Sequence, residues 1–253
     1  MKEHNIWVEK YRPKSIENYI GNELLKYNIK KWITNPKELP HLLLYSPPGT
    51  GKTSLAKLLI NNINCNYQYI NASDERGIDT VRDKIQNFAQ AASFNHFKIV
   101  ILDEADYLTS QAQASLRNII ETFSLNTRFI LTCNYLERIT EPIQSRCLVT
   151  KITPPSKDEV KEYMIYILEK ENIKFELKDL DLIIKNNYPD IRKTINICQS
   201  LIKDNILVLD NLIDSNYLNF NYFSLGSDAH HSFSPTIGDL DGDGDLDLSL
   251  IHI

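Results

Sequence analysis

The stretch Ser46-Pro47-Pro48-Gly49-Thr50-Gly51-Lys52-Thr53 constrains the fold of this 253-residue chain more than any other feature. It follows a short apolar run, residues 41–45, and opens residues 53–63, where apolar positions recur at helical spacing. A glycine-bearing loop between a strand and a helix lets backbone N–H groups close around phosphate oxygens. In such a loop Lys52 reaches the β and γ oxygens, Thr53 offers its hydroxyl to Mg²⁺, and Pro48, Gly49, Thr50, Gly51 and Ser54 complete the cradle. The pattern ordinarily begins with Gly, and Ser46 stands there instead; Gly49, Gly51, Lys52 and Thr53 are intact.

Strands and helices alternate on both sides of the loop. Residues 41–45, 67–70, 97–102, 127–132 and 147–152 are strand candidates, and residues 97–102 would be apolar on both faces, as a buried parallel strand requires. Residues 53–63, 78–92 and 110–123 have helical spacing; in the last, Ala112, Leu116, Ile119, Ile120 and Phe123 share a face and Ser110 with Gln113 is spaced as a capping box. This is an α/β pattern with a largely parallel five-stranded sheet. After Pro154-Pro155 only helices are readable. Ser156 and Glu159 form a second capping box, and Val160, Tyr163, Met164, Ile167 and Leu168 make one apolar stripe, which predicts a small all-α domain.

Asp103-Glu104-Ala105-Asp106 ends the buried strand about fifty residues after the loop. Alone, this tetrapeptide reads as a solvated acidic turn. Paired with a phosphate loop, it suits nucleotide hydrolysis: Asp103 would hold Mg²⁺ through water and Glu104 would polarise the attacking water.

Net charge is −5, yet Asp228, Asp239, Asp241, Asp243, Asp245 and Asp247 all fall after Leu225, where no Lys or Arg occurs. Setting these six aside leaves 27 acids against 28 bases, so any nucleic-acid contact must come from a local patch. Cys65, Cys133, Cys147 and Cys198 are scattered without a C-x-x-C pair, which predicts buried free thiols rather than a disulfide framework or zinc site. No leader peptide and no apolar run of membrane-spanning length is present, so an intracellular protein with no membrane partner is expected.

Four further segments carry a resemblance. Trp7-Val8-Glu9-Lys10-Tyr11-Arg12-Pro13, Asn71-Ala72-Ser73-Asp74-Glu75-Arg76-Gly77-Ile78-Asp79, Asn126-Thr127-Arg128-Phe129-Ile130-Leu131 and Ser145-Arg146-Cys147 look like the boxes of replication factor C small subunits. These are ATPases of the AAA+ class that load DNA sliding clamps, and some phage clamp-loader subunits are similar. The match runs over residues 5–201 in the family's order. It implies ATP and Mg²⁺ as cofactors, and as partners the other subunits of a ring, the clamp and primer-template DNA.

The resemblance also implies roles residue by residue. Val8, Tyr11, Arg12, Ile20 and Gly21 would pack around the adenine, Asn134 would be a first sensor of the γ-phosphate, and Arg192 would reach the same nucleotide from the helical lid. Arg146 would be an arginine finger delivered to ATP on a neighbouring subunit, so hydrolysis would depend on assembly. Arg76, Arg82, Lys84 and Arg117 are candidates for DNA phosphate contacts, although charges on solvated helix faces look the same in sequence. Asn71 would couple DNA to Glu104.

The end of the chain reads differently. Asp239-Leu240-Asp241-Gly242-Asp243-Gly244-Asp245-Leu246-Asp247 fits a D-x-D-x-D-G-x-x-D calcium loop, but its twelfth position is Leu250 where an EF-hand has Glu. With Phe233-Ser234-Pro235 before it, the stretch resembles one repeat of an integrin-type (FG-GAP) propeller, which cannot bury its apolar face alone. His230 and His231 add no zinc pattern. The expectation is a chimaera joined between residues 221 and 234, with the last six residues foreign too and no room for the helical collar that follows the lid in this family.

The expected organisation is therefore an AAA+ nucleotide-binding domain over residues 1–153, a helical lid over 154–215, and a linker with a foreign or disordered tail over 216–253. The expected activity is ATP hydrolysis, weak in isolation, coupled to clamp loading. Alternatives are a branch-migration motor, a non-hydrolysing scaffold subunit and, from the tail alone, a calcium-binding adhesion module.

Overall fold

A computed structural model of the chain describes residues 5–74, 78–91, 97–209, 234–238 and 247–251. Strands β1 (Leu42–Tyr45), β2 (Asn66–Asn71), β3 (Lys98–Asp103), β4 (Thr127–Cys133) and β5 (Leu148–Lys151) form one sheet in the order β2-β3-β4-β1-β5. Every pairing in it is parallel. Parallel neighbours need crossovers, and the helical stretches read from the sequence supply them.

The sheet separates two apolar clusters, and strand alternation decides which residue joins which. Leu42, Leu44, Ile99, Ile101 and Ile130 face one cluster, while Leu43, Val100, Leu102, Phe129 and Leu131 face the other. Because both faces are covered, β1 and β3 read as unbroken apolar runs. After the short α1 (Trp7–Lys10), α2 (Glu23–Thr34) and α3 (Lys52–Asn62) cover the first face, while α4 (Ile78–Gln90) and α5 (Ser110–Phe123) cover the second. Lys98, itself buried, turns its ammonium onto the carbonyls of Phe88, Ala89 and Ala91, where a cation satisfies the unpaired carbonyls at the end of α4. A short α6 (Glu141–Gln144) leads into β5.

The capping box expected at Ser110 and Gln113 does not form. Thr109 takes the cap instead, accepting from the Ala112 amide at 3.2 Å. Gln113 is thereby released into the interior, where it donates to the carbonyls of Leu108 and Arg138 and accepts from the Thr140 amide at 2.8 Å. The box at Ser156 and Glu159 does form and opens α7 (Lys157–Lys170). α8 (Leu177–Asn187) and α9 (Ile191–Ser200) pack behind it; of the expected stripe Val160, Met164, Ile167 and Leu168 are buried, while Tyr163 is only half-buried. Strands do not stop at the double proline: β6 (Ile202–Lys203) and β7 (Ile206–Leu207) pair antiparallel. Asp204 and Asn205 between them both have positive φ, 49° and 59°, as a two-residue hairpin of matching twist demands.

The chain divides into two units, residues 1–209 and 210–253. In the second, β8 (Ser234–Gly238) and β9 (Asp247–Ile251) pair antiparallel from Ser234 opposite Ile251 to Gly238 opposite Asp247. His230, His231 and the calcium-like positions from Asp239 to Leu246 lie outside the described residues.

Candidate nucleotide site

At the carboxyl end of β1 the chain turns through Gly49 (φ +75°) and Gly51 (φ +97°), left-handed conformations that favour glycine, and enters α3 at Lys52. Ser46 is almost fully buried, and its hydroxyl bonds that of Thr50. The Lys52 ammonium donates to the carbonyls of Ser46 at 2.7 Å and Pro47 at 2.8 Å. Burial pushes its pKa down to about 8.

Asp103 ends β3 beside the loop, and three hydroxyls converge on its buried carboxylate. Thr53 Oγ1 donates to Oδ1 at 2.9 Å, Thr132 Oγ1 donates to the same oxygen, and Tyr69 Oη donates to Oδ2 at 2.5 Å. Thr132 also accepts from the Glu104 amide at 3.1 Å. Glu104 holds φ +56°, an uncommon conformation for a non-glycine residue and one that recurs where geometry serves function. Asp106 is buried as well; its Oδ2 accepts from the Asn134 amide at 3.3 Å, while Oδ1 is without a partner. Lys52, Thr53, Asp103, Glu104, Asn134 and Arg192 thus line one polar cleft, together with Pro48 and Ser54.

A mainly apolar cleft adjoins it and shares Gly49, Gly51, Ser54 and Arg192. Val8, Tyr11, Arg12 and Ile20 line it with Thr50, with Tyr163 of α7 and with Ile191 and Ile195 of α9. Gly21 does not line either cleft: it packs on Pro155, where an added Cβ would meet the proline at 3.2 Å. Burial and the neighbouring Glu171 raise the Tyr11 pKa, and Tyr11 donates to Glu171 at the end of α7 at 2.5 Å. Arg12 donates to Ser54 Oγ at 3.2 Å. Asp190 caps α9 and sits directly over the loop, since a Cβ on Gly49 would fall 1.9 Å from its Oδ1.

Residues 42–154 match the family model of the ATPase family associated with various cellular activities, AAA. The chain carries an AAA domain. Replication factor C small subunits of Sulfolobus acidocaldarius (42% identical) and Archaeoglobus fulgidus (45%) each align with 79% of this chain. The chain spans 63% and 64% of the length of those curated relatives. Among solved structures, the Thermotoga maritima RuvB Holliday junction branch migration motor superposes with a TM-score of 0.64 at 19% identity, covering 76% of this chain and 66% of that one, a likeness of fold. The chain is a homologue of replication factor C small subunits.

Arg146 lies away from this AAA cleft. It precedes β5 at the amino edge of the sheet, whereas Lys52 follows β1 at the carboxyl edge, and Leu42 lies opposite Leu148 in register. A four-residue strand separates those edges by on the order of 13 Å. The Arg146 guanidinium is paired with Glu121 (Nε to Oε1 2.7 Å), and Arg117 Nε approaches the same oxygen at 3.9 Å. Arg82 on α4 contacts Asp83 at 3.4 Å, Lys84 is exposed on the same helix, and Arg76 lies outside the described residues. The Asn71 side chain closes a local turn, donating to Asp74 at 2.9 Å and accepting from Ser73.

Sequence patterns give no site role to Tyr69, Thr132 or Asp190, and mark Asp106 only as part of the acidic tetrapeptide and Tyr163 only as part of an apolar stripe. Thr132 and Tyr69 reach Asp103 only because β4 and β2 flank β3, and the strand order is not written in any local pattern. Asp190 carried one usable signal, its place three residues before Lys193 at a helix start. No helix among the described residues is long and apolar enough to cross a membrane.

Proposed function

We propose that this chain is an intracellular ATP-hydrolysing subunit of a loader that places sliding clamps on primed DNA. The observation that carries the hydrolytic part is the Thr53 to Asp103 hydrogen bond of 2.9 Å at the mouth of the phosphate loop. It commits the threonine proton to the carboxylate and leaves the oxygen lone pairs for a hard cation. Thr53 would hold Mg²⁺ directly and Asp103 through water. When bound, Mg²⁺ neutralises charge developing between the β- and γ-phosphoryl oxygens.

The protein groups have separable tasks. Gly49, Thr50 and Gly51 present amides to the phosphates. Lys52 leaves the loop carbonyls for the β and γ oxygens, whose negative charge favours its protonated form. Glu104 orients the attacking water and takes its proton, and Asn134, whose backbone N–H donates to Asp106 and which lines the same cleft, would sense the γ-phosphate. Arg192 contributes charge from the helical domain, and the apolar cleft with Val8, Tyr11, Arg12 and Ile20 takes the base. Arg146 serves a neighbouring subunit. Its position at the opposite sheet edge from Lys52 supports that assignment, and its pairing with Glu121 is the contact it would exchange.

The replication factor C relatives, at more than twice the identity of the RuvB motor, favour the clamp-loader reading over branch migration. Arg82, Lys84 and Arg117 remain the proposed phosphate contacts to DNA. The test is steady-state ATPase with primed duplex and clamp, against a four-way junction. Glu104→Gln should retain ATP binding within about twofold and lose hydrolysis by about 10²-fold or more. Lys52→Ala and Arg146→Ala, each inactive, should recover activity when mixed, because one supplies the finger and the other the site. Junction-specific stimulation, or no recovery on mixing, refutes the proposal.

A further inference from the structure

We infer that Tyr69 is a positioning residue for the cation site, its hydroxyl holding Asp103 in the orientation that Thr53 and Mg²⁺ require. The inference rests on the nucleotide reading above and extends it to a residue that no motif marks.

The β2 to β3 register sets the geometry: Tyr69 lies opposite Ile101 and Asn71 opposite Asp103. Residues two apart share a strand face, so the Tyr69 ring lies on the side of the sheet covered by α3, packed against the cluster that includes Leu55, Leu59 and Ile101. Lys57, one helical turn beyond Thr53, places its ammonium 5.2 Å from the ring centroid. Between sheet and helix the ring is held on both sides, and its oxygen is delivered 2.5 Å from Asp103 Oδ2.

Asp103 is thereby tethered from three elements. Thr53 on α3 and Thr132 on β4 donate to Oδ1, and Tyr69 on β2 donates to Oδ2. Rotation of the carboxylate about its terminal torsion would break the Tyr69 bond. With that bond removed, Oδ2 is free to turn, and the Thr53 hydroxyl loses a fixed acceptor. Partners that orient the groups around a metal typically alter metal affinity by 10- to 100-fold, and one of three tethers on a carboxylate acting through water should fall near the lower end.

Tyr69→Phe keeps the ring and removes the hydroxyl. Binding of a fluorescent ATP analogue to the full chain is titrated with Mg²⁺ and repeated in EDTA, with thermal unfolding measured in parallel. The expected result is a Mg²⁺ midpoint raised about tenfold, with metal-free binding and Tm unchanged. Lys57→Ala removes a contact to the ring but leaves the hydroxyl bond, so it should raise the midpoint by less than Tyr69→Phe does; an equal rise overturns the inference. A Tyr69→Phe midpoint within twofold of the parent overturns the inference while the nucleotide reading stands. An equal loss in EDTA and in Mg²⁺ also overturns it, because the residue would then be structural. A parent chain that binds no analogue, or binds it equally well as Lys52→Ala, overturns both.

Discussion

Replacing Gly49 by Ala tests whether the start of α9 is seated on the glycine loop between β1 and α3. An alanine Cβ there would lie 1.9 Å from Asp190 Oδ1 and 2.2 Å from its Cγ, far inside any real contact, so the start of α9 must withdraw by at least about 1 Å. Gly49 also has φ +75°, where an L side chain costs about 1 kcal/mol. Withdrawal disturbs the Asp190 cap on the Lys193 amide, now 2.8 Å, a bond of about 1 kcal/mol. The combined loss should be about 2–4 kcal/mol, and because Arg192 moves with Asp190, ATP affinity should fall as well. Asp190→Ala alone should cost only the cap, about 1 kcal/mol. In the double variant the clash is gone, so the two changes should couple favourably by about 1–2 kcal/mol. Urea unfolding of the four proteins at 25 °C, extrapolated linearly, reads that coupling. Additivity within about 0.5 kcal/mol would refute the contact between loop and helical domain.

Two further outcomes follow from buried polar groups away from the cleft. Burial pushes the His41 pKa from 6.5 down to about 4 while its Nδ1 accepts from the Phe129 amide at 3.2 Å. The unfolded chain then binds a proton that the folded chain refuses, so stability is lost as pH falls from 6.5 towards 4. Chemical denaturation should show about 1–2 kcal/mol less stability at pH 5 than at pH 7 from this group after discounting partial solvent access, and His41→Asn, which retains an acceptor without the titration, should flatten that slope. Gln113→Ala would strand the Thr140 amide and the Arg138 carbonyl, for a loss of about 2–4 kcal/mol in urea unfolding; a loss under about 0.5 kcal/mol would contradict the buried network.

The walls of the two clefts come from different segments of the chain. The loop and acidic strand end occupy the carboxyl edge of the sheet, the N-terminal segment and α9 wall the apolar cleft, and Tyr11 with Glu171 joins the first of these walls to the helical domain. Arg192 lines both clefts, and Asp190, the cap of α9, lies over Gly49.

Features governed by neighbours in sequence were legible without a structure. The five strands, the glycine loop between β1 and α3, and the Ser156 to Glu159 cap are local: each depends on apolar periodicity, a glycine's conformational range or a bond spanning three residues. The local signal failed where a nearer competitor existed, as at Ser110, where Thr109 took the cap and Gln113 moved into the core. The two-residue strands β6 and β7 are too short for periodicity to register, and their Asp204-Asn205 turn is evident from its positive φ angles in the structure. The tertiary structure alone decided that Tyr69, 34 residues from Asp103, and Thr132, 29 residues away, meet on one carboxylate, because strand order and register are non-local. It likewise set Gly21 against Pro155, Arg146 at the far edge with Glu121, and Asp190 over Gly49. The sequence determined which chemical groups the site holds; packing of distant segments determined their orientation, since a carboxylate's direction depends on partners that the linear chain does not place beside it.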